Sequence, residues 1–532
     1  MTCKFARLSL RRLLVPFMAG ALAVIAAPAW AAAPQDLDAF AARAMKAFDT
    51  PGMAVAIVED GQAATHVYGI RKLGAPERVD AHTVFPIGSN TKAFTAAALA
   101  ILVDQGKLHW DDLVVDKLPG FRMYDAYTSQ HMTITDLLVH RSGLGLGQGD
   151  LMFLPSTTRS RAELVHAIRH LKPATGFRSG FAYDNVLYSV AGELVEAVSG
   201  ERWEDFVQRH MLSPMGMRDT LTSLDVQGPD SVSLHGKISG PVRGMGPPSV
   251  LGTVLSGDVC APAGALRVSA DDMTHWLRVQ LAHGALDGDK RLFSEAASQA
   301  LWTPQTLVPI DAPPAPLALT RPAYQAYALG LFVRDYRGHR IVMHTGGVLG
   351  AYSVVAILPE RHVAFAIMLN AEDAGTLMAT FYHLLDHYLG LPPTDWIGNY
   401  RQVDELGIAA ALKAIQARQA KTHPERGPSL PPAGYAGVFS DPWYGTATIS
   451  RGKDGMRLSM DRTPGMQGAL EHVQYDTFRT HWSKPGLEDA YVTFALRPDG
   501  SVDHMTMQAI SPLADFSYDY QDLYFTPVAE KR

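Results

Sequence analysis

Cysteine is scarce in this sequence, with only Cys3 and Cys260 among 532 residues. Cys3 lies in an N-terminal segment that we expect to be removed, so no internal disulfide can form in the mature chain. It is also too close to the N-terminus to be a lipidation site. Cys260 lies in the apolar sequence VCAPAG, which indicates a small packed residue rather than a nucleophile. We therefore expect neither a disulfide framework nor thiol catalysis.

Runs of positive charge are also absent after the N-terminal segment. The formal net charge is -6 at pH 7, and it becomes more negative if the basic N-terminal segment is cleaved. A nucleic-acid surface needs clustered Lys and Arg side chains that neutralise phosphates. Nucleic acid is therefore not an expected partner.

Long apolar runs are absent after residue 30. Before it, four basic residues precede LLVPFMAGALAVIAAPAW, and small residues follow up to Ala33. This pattern predicts a secretory signal peptide over residues 1–33, cleaved after Ala31 or Ala33. A retained anchor is the alternative, but the run is barely long enough to cross a bilayer, and Pro16 and Pro28 interrupt it. We therefore predict a periplasmic or secreted protein without a stable membrane anchor.

The remaining roughly 500 residues are enough for more than one domain. A main domain over 34–395 combines helical periodicity with four predicted antiparallel strands at 327–334, 340–343, 352–358 and 363–370. A polar helix and a Pro-rich linker follow over 396–430. Short alternating segments separated by DG and PG turns then predict a small antiparallel barrel or sandwich over 431–532.

The stretch FPIGSNTKAFTAAALAILVDQG contains Ser89 and Lys92 at the start of a predicted buried helix that ends at Gly106. Residues three positions apart share one face of a helix, so the hydroxyl and the amine can meet. A serine hydroxyl is a weak nucleophile at neutral pH. A buried lysine, whose charged form is disfavoured by desolvation, can accept its proton. The pair is therefore a candidate catalytic dyad.

The S-x-x-K spacing alone does not establish that dyad, because it is short enough to occur by chance in a chain of this length. It occurs again at Ser450 and Lys453. The second copy lies between two alternating segments, next to Asp454-Gly455, which is the pattern of an exposed β-hairpin turn.

Two further motifs carry polar groups toward a possible cleft. Tyr183 and Asn185 precede an apolar helix, and side chains two positions apart point the same way only in an extended or turn segment. Gly346 and Gly347 follow a predicted strand, where they let a backbone offer bare N–H groups to an oxyanion.

Other candidates are weaker. His140 and Ser142 could form a second site, but we expect them to hydrogen-bond to buried loop backbone near the cleft. The long excursion over 223–256 is expected to be functional or mobile. The i, i+4 histidine pairs lack the H-E-x-x-H glutamate and an evident third ligand, so we expect no metal and no cofactor. These pairs are His166 with His170 and His383 with His387.

The polar motifs, in their fixed order, are together far more specific than any one of them. They are Ser89-x-x-Lys92, Tyr183-x-Asn185 and His344-Thr345-Gly346. In combination they resemble the penicillin-recognising serine hydrolases, and stretches such as YSVAGELVEAVSG look like the class C branch. That branch includes class C β-lactamases, D-Ala-D-Ala carboxypeptidases of the S12 peptidase family, D-aminopeptidases and esterases. The resemblance covers about residues 37–391 and implies an α/β (α+β) fold, in which helices and an all-helical lobe flank an antiparallel sheet. The tail resembles a lipocalin-like β-domain.

The resemblance also implies catalytic roles. Ser89 would be the acylated nucleophile and Lys92 its proton acceptor. Tyr183 would be the general base, deprotonated or poised by Lys92, for acylation and for activating the deacylating water. Asn185 would hold the amide carbonyl of the substrate and brace Lys92.

Substrate binding is implied in the same way. The N–H groups of Ser89 and Gly347 would form the oxyanion hole, and the strand through Thr345 and Gly346 would align the substrate. His344 would line this strand and could complete the proton path to the leaving group.

His344 departs from the lactamases, which have lysine at this place. A histidine near neutral pH is only partly charged, so it anchors a β-lactam carboxylate less well. The resemblance therefore favours an exported serine peptidase or amidohydrolase. Its substrates would be short linear peptides, including linearised cyclic or cell-wall-type peptides with D- or other unusual residues. A carboxylesterase is the alternative, a β-lactamase or a non-catalytic penicillin-binding receptor is less favoured, and a homo-oligomer is compatible with all of these.

Overall fold

The computed structural model describes residues 33–226, 228–252, 259–453 and 455–528. Apart from Ala33, the predicted signal peptide lies outside the described residues. Within the described ranges, no helix combines the length and apolar character needed to cross a bilayer.

Helices occur mainly before residue 420 and follow the predicted apolar periodicity. The predicted nucleophile-bearing helix is present, and the predicted polar helix before the linker begins at Trp396 and runs for 24 residues. In chain order the helices are α1 (Leu37–Phe48), α2 (Thr91–Asp104), α3 (Val114–Lys117), α4 (Ala126–His131), α5 (Ile134–Leu138), α6 (Arg161–Ala167), α7 (Val186–Ser199), α8 (Trp203–Val207), α9 (Ser213–Met215), α10 (Ala261–Gly264), α11 (Ala270–Leu281), α12 (Glu295–Leu301), α13 (Ala374–Leu389), α14 (Trp396–Gln419) and α15 (Pro432–Tyr435).

The strands of the first four hundred residues form one large sheet and two short pairs. They are β1 (Gly52–Glu59), β2 (Gln62–Gly69), β3 (Phe85–Pro86), β4 (Leu234–Gly236), β5 (Ser249–Leu251), β6 (Arg267–Val268), β7 (Thr306–Leu307), β8 (Gln325–Tyr327), β9 (Phe332–Tyr336), β10 (His339–Val348), β11 (Ala351–Leu358) and β12 (Val363–Leu369). The large sheet is antiparallel, with the order β2-β1-β12-β11-β10-β9-β8-β7. Strand β1 is buried on both faces, which explains its continuous apolar sequence.

Each face of the sheet is covered by helices. Alternate residues of β1 contribute to two separate apolar clusters, one with α2, α7 and α11 and the other with α1, α13 and α14. Helix α2 lies between the sheet and the helical lobe, so its residues from Thr91 to Leu102 are all buried. The predicted α/β (α+β) class, a helix-flanked antiparallel sheet followed by a small barrel, is confirmed.

The first of the four predicted strands is wrong in its extent. Residues 327–334 are divided between β8 and β9, because Gly330 turns the chain with a φ of 79°. A Cβ at Gly330 would lie 2.7 Å from the Lys92 carbonyl oxygen, so the turn packs directly against the start of α2. Part of the excursion over 223–256 lies outside the described residues, and within its described part β4 and β5 form a short antiparallel pair.

The C-terminal strands close into an eight-stranded antiparallel barrel within the described residues. They are β13 (Gly437–Asp441), β14 (Gly445–Gly452), β15 (Gly455–Met460), β16 (Gln467–Gln474), β17 (Thr477–Trp482), β18 (Ala490–Leu496), β19 (Val502–Ala509) and β20 (Tyr524–Pro527). Side chains of the barrel interior belong to the same buried apolar cluster as the helical lobe. The barrel therefore packs against the main domain.

Candidate active site

Ser89 lies in a tight turn between the sheet and α2. The turn is the 3-10 segment Gly88–Asn90, and Gly88 has a φ of 50°. A Cβ at Gly88 would lie 2.6 Å from the Gly347 nitrogen, and one at Gly346 would lie 1.8 Å from the Ile87 carbonyl oxygen. Only glycine permits this close approach, which brings the end of β10 against the serine turn.

Lys92 is fully buried, and its amine is held by three oxygen atoms. The Nζ lies 3.1 Å from Ser89 Oγ, 2.7 Å from Asn185 Oδ1 and 3.0 Å from the carbonyl oxygen of Ala263. Burial lowers the pKa of Lys92 to about 8, although the nearby Cys260, Asp150 and Asp184 oppose the shift. A substantial fraction of this lysine is therefore neutral near physiological pH.

The neutral amine is oriented by these contacts. Asn185 Oδ1 and the Ala263 carbonyl can only accept hydrogen bonds, so they take the two hydrogens of a neutral –NH₂ group. The nitrogen lone pair is then left for the hydroxyl hydrogen of Ser89. The second S-x-x-K copy has no such environment, because Ser450 is exposed on β14, opposite Arg457 of β15.

Tyr183 brings a buried phenol beside this pair. Its carbonyl accepts the Gly147 N–H at 2.8 Å, which fixes the loop before α7. The Lys92 Nζ lies 4.9 Å from the centroid of the phenol ring. The hydroxyl is buried without a hydrogen bond of good geometry. Burial raises the pKa of Tyr183 well above its usual value, and the neighbouring Ser89 hydroxyl opposes the shift only in part. A phenolate is therefore disfavoured in the free protein.

Asn185 connects the lysine to a carboxylate that the sequence did not predict as part of the site. Its Nδ2 donates to Asp150 Oδ2 at 2.7 Å, and Ser517 Oγ donates to the same oxygen at 2.8 Å. Asp150 and Ser517 are both buried. No motif marks either residue, and the only local signal is the isolated acid in the otherwise apolar stretch GQGDLMF.

The sequence predicts a partly charged imidazole at His344, and this prediction is wrong. Its Nδ1 lies 2.5 Å from the Thr345 carbonyl, which can only accept, so Nδ1 carries the proton. Nε2 then accepts from the Tyr327 hydroxyl at 2.9 Å. Burial, together with the charge of Lys92, lowers the pKa of His344 to about 3. The imidazole is therefore neutral, and both of its nitrogens are engaged.

The end of β10 forms an open edge along the site. Its pairing with β9 stops at Met343, whereas its pairing with β11 continues to Val348. Thr345 and Gly347 are exposed and line the cleft. The backbone groups of this edge can therefore pair with an extended chain.

The cleft has a volume of about 430 Å³, and its lining is mostly apolar. Among the described lining residues the only basic side chain other than His344 is Arg243, whose Nε lies 2.8 Å from Glu372 Oε1. A segment of the barrel forms one wall, where the Phe516 ring centroid lies 6.1 Å from that of Tyr183. The large apolar lining residues are Phe153, Leu154, Phe181, Leu224, Phe332, Val348, Leu349, Leu513 and Phe516.

The remaining candidates lie outside this chemistry. Cys260 is buried, and burial raises the pKa of its thiol to about 12, which fits a packed residue. His140 accepts the Asp184 backbone N–H, and Ser142 accepts that of Leu144, as predicted for loop-stabilising groups. Among the described residues there is no group of three or more His, Cys, Asp and Glu side chains that could hold a metal ion.

Comparisons with known proteins assign both parts of the chain. The beta-lactamase family model matches residues 37–379, and that of a domain of unknown function, DUF3471, matches residues 421–527.

Unguisins hydrolase ungD of Aspergillus violaceofuscus is 27% identical over 491 residues, which cover 86% of this chain and 84% of the relative. Penicillin-binding protein 4 of Amycolatopsis lactamdurans is 27% identical over 347 residues, covering 63% of this chain and 84% of the relative. The octameric penicillin-binding protein homologue from Pyrococcus abyssi has the same fold, with a TM-score of 0.57, 20% identity and coverage of 89% and 97% of the two chains. The resemblance to penicillin-recognising serine hydrolases is confirmed.

Proposed function

The chain belongs to the beta-lactamase family of serine hydrolases, and on this premise we propose that it is an exported peptidase that cleaves short linear peptides through an acyl-enzyme on Ser89. The observation that carries the proposal is the contact of the buried Lys92 amine with the Ser89 hydroxyl. The pKa of about 8 gives this amine a neutral fraction that can accept a proton near neutral pH.

Acylation then proceeds by proton transfer within the buried cluster. Lys92 takes the hydroxyl proton as Ser89 Oγ attacks the scissile carbonyl, and the N–H groups of Ser89 and Gly347 stabilise the oxyanion. The C–N bond breaks as the leaving nitrogen takes the phenol proton of Tyr183, which Lys92 replaces. Because Tyr183 is neutral before the reaction, its first role is that of an acid rather than a base.

Deacylation uses the same groups in reverse. A water molecule gives a proton to the Tyr183–Lys92 pair as its oxygen attacks the ester carbonyl of the acyl-enzyme. The C–O bond to Ser89 then breaks, and Ser89 Oγ recovers its proton from Lys92. These two reaction steps together regenerate the free enzyme and release a carboxylic acid.

A peptide is the best-supported substrate because of the open edge of β10. An extended peptide can add to this edge as a further strand, with its backbone hydrogen-bonded to Thr345 and Gly347. The apolar cleft beside it suits an apolar side chain. The neutral His344 and the Glu372-paired Arg243 offer little to anchor a β-lactam carboxylate. The relative named as unguisins hydrolase aligns over both parts of the chain, which supports hydrolysis rather than penicillin binding alone.

A panel of three chromogenic substrates tests this proposal. We expect p-nitroanilide peptides with an apolar acyl residue, in both D and L series, to be hydrolysed with a higher kcat/KM than nitrocefin. A p-nitrophenyl ester should also react, because esters need less leaving-group acid. Turnover of the ester alone would identify a carboxylesterase, and preferential turnover of nitrocefin would contradict the proposal. A mass-spectrometric screen of linear peptides would then define the substrate.

The dependence of acylation on pH follows from the buried lysine. The rate of Ser89 labelling by a fluorescent phosphonate should rise with pH, about tenfold per unit at first, reach half of its maximum near pH 8 and level off above it, because only neutral Lys92 can accept the proton. Because Asp150 and Lys92 interact electrostatically, the midpoint of the rising part of the pH–rate curve reflects the coupled titration of both groups. Measurement of the labelling rate from about pH 6 to about pH 10 checks this prediction. A rate that is still rising at the highest pH, with a midpoint near the ordinary lysine pKa of 10.5, would contradict the prediction.

Export and assembly complete the proposal. The signal-like N-terminus supports a periplasmic or secreted location. The octameric state named for the Pyrococcus abyssi relative supports a homo-oligomer for this chain.

A further inference from the structure

One loop of the C-terminal barrel reaches the catalytic cluster. We call residues 513–519, between β19 and β20, the barrel loop. It packs against residues 145–152 of the main domain, which we call the glycine loop. Asp519 of the barrel loop accepts the backbone N–H of Gly149 at 2.6 Å and that of Leu151 at 3.0 Å. Both backbone contacts flank Asp150, so the barrel holds the peptide units on either side of this residue.

Ser517 of the barrel loop holds the Asp150 side chain as well. The Asp150 Oδ2 atom accepts from Ser517 Oγ and from Asn185 Nδ2, whereas Oδ1 is buried without a partner. Burying a carboxylate oxygen without a hydrogen-bond partner costs free energy. An apolar residue would therefore fill this position better if Asp150 served only to pack the loop. Its two hydrogen bonds join the barrel to the residue that braces Lys92.

The carboxylate determines which way the Asn185 amide faces. Only the NH₂ end of the amide can donate to Asp150 Oδ2, so the carbonyl end faces Lys92. A rotated amide would present hydrogens to Lys92 and would compete for its lone pair. The orientation that leaves the lone pair on Ser89 therefore depends on Asp150.

We propose that Ser517 and Asp150 are positioning residues, through which the C-terminal barrel fixes the Asn185 amide and thereby aims the Lys92 amine at Ser89. The proposal rests on the proposed serine hydrolase function. The barrel is thus part of the catalytic unit of this chain, and it acts on the reacting groups through Asp150 and Asn185. Its contribution is a chain of three hydrogen bonds from Ser517 to Lys92.

Asp150 also acts on Lys92 through its charge, and the two effects are separable. The groups whose charges or hydrogen bonds face Asp150 are Lys92, Tyr183, Asn185, Cys260, Asp515, Ser517 and Asp519. Burial raises the pKa of Asp150 to about 7, and its ionised form favours the ammonium form of Lys92. Removing the charge should make Lys92 neutral at lower pH, whereas removing the hydrogen bonds should disorient the amine at every pH.

Two variants of Asp150 separate these effects, measured as the rate of Ser89 labelling by the phosphonate across pH. Asp150→Asn keeps an oxygen acceptor, so its plateau rate should stay within about threefold of wild type while the acid limb moves to lower pH. Asp150→Ala removes the acceptor, so its plateau rate should fall at least about tenfold. A plateau within about twofold of wild type for Asp150→Ala, in a protein whose thermal unfolding is cooperative, would overturn the proposal.

Ser517 tests the part played by the barrel. Ser517→Ala should lower the plateau labelling rate several-fold, and Ser517→Thr, which keeps the hydroxyl, should restore it. Ser501→Ala is the matched control, because Ser501 lies in an exposed barrel turn and, in the described structure, its side chain hydrogen-bonds only to Asp499. That variant should leave the rate unchanged.

A double-mutant cycle shows whether the two residues act through one chain of contacts. In the Asp150→Ala background, Ser517→Ala should cause no further loss, since its acceptor is already gone. Equal losses in both backgrounds would mean that Ser517 acts by another route, and the proposal would be wrong. Absence of any Ser89 labelling in the wild-type protein would instead reject the proposed function itself.

Discussion

Replacing Ser89 with Ala should abolish labelling by a fluorescent phosphonate and lower peptide or ester hydrolysis at least about 1,000-fold. The reason is that every covalent step proposed above passes through Ser89 Oγ. The protein should remain folded, because the serine lies at the cleft in a turn that is held mainly by other groups. Asn90 Nδ2 donates to Ser353 Oγ at 2.8 Å, and Ser353 Oγ donates to the Ile87 carbonyl at 2.8 Å.

The chain contains its own control for this experiment. Ser450 begins the second S-x-x-K motif but is exposed on the barrel, so Ser450→Ala should label and turn over substrate like the wild type. Equal labelling of both variants would show that the probe reacts elsewhere. Such a result would reject the dyad.

Replacing Tyr183 with Phe should lower turnover at least about 100-fold, within the usual range for an acid or base that transfers a proton in the rate-determining step. The substitution removes one oxygen atom. This hydroxyl is buried without a hydrogen bond of good geometry, so no partner is left unsatisfied and the free energy of unfolding should not fall. The loss of activity can therefore be assigned to chemistry.

Tyr388 offers a matched control for that substitution. Its hydroxyl is also buried without a hydrogen-bond partner, but it lies on α13, which packs on the opposite face of the sheet from α2. Tyr388→Phe should retain full activity and stability. Near-wild-type turnover by Tyr183→Phe would remove this phenol from the mechanism, whereas equal losses in both variants would indicate a general effect of the substitution.

The features that are determined by residues close together along the chain could be predicted from the sequence. The helix after Ser89 follows from a run of apolar residues between two glycines, and the contact of Ser89 with Lys92 follows from their spacing on one helical face. The barrel follows from repeated alternation and turn residues. In each case the determining signal lies within about twenty residues.

The rest depends on contacts between distant parts of the chain. Ser517 lies 367 positions from Asp150, and no local pattern marks either residue. The neutral state of His344 comes from burial against Tyr327 and from the carbonyl of Thr345, neither of which its own sequence position reveals. The division of the strand at Gly330 is set by packing against the Lys92 carbonyl. Burial is a property of the assembled core, so charge states in the site could not be read from residue types alone.

The central claim is that hydrolysis passes through an acyl-enzyme on Ser89, and acid quenching during turnover of an activated ester tests it most directly. Intact-mass measurement of the quenched protein should show the mass of one acyl group, and proteolysis should locate that group on the peptide that contains Ser89. An acyl group on the peptide that contains Ser450, or turnover by the wild type with no adduct on Ser89 under any quench time, would contradict the account.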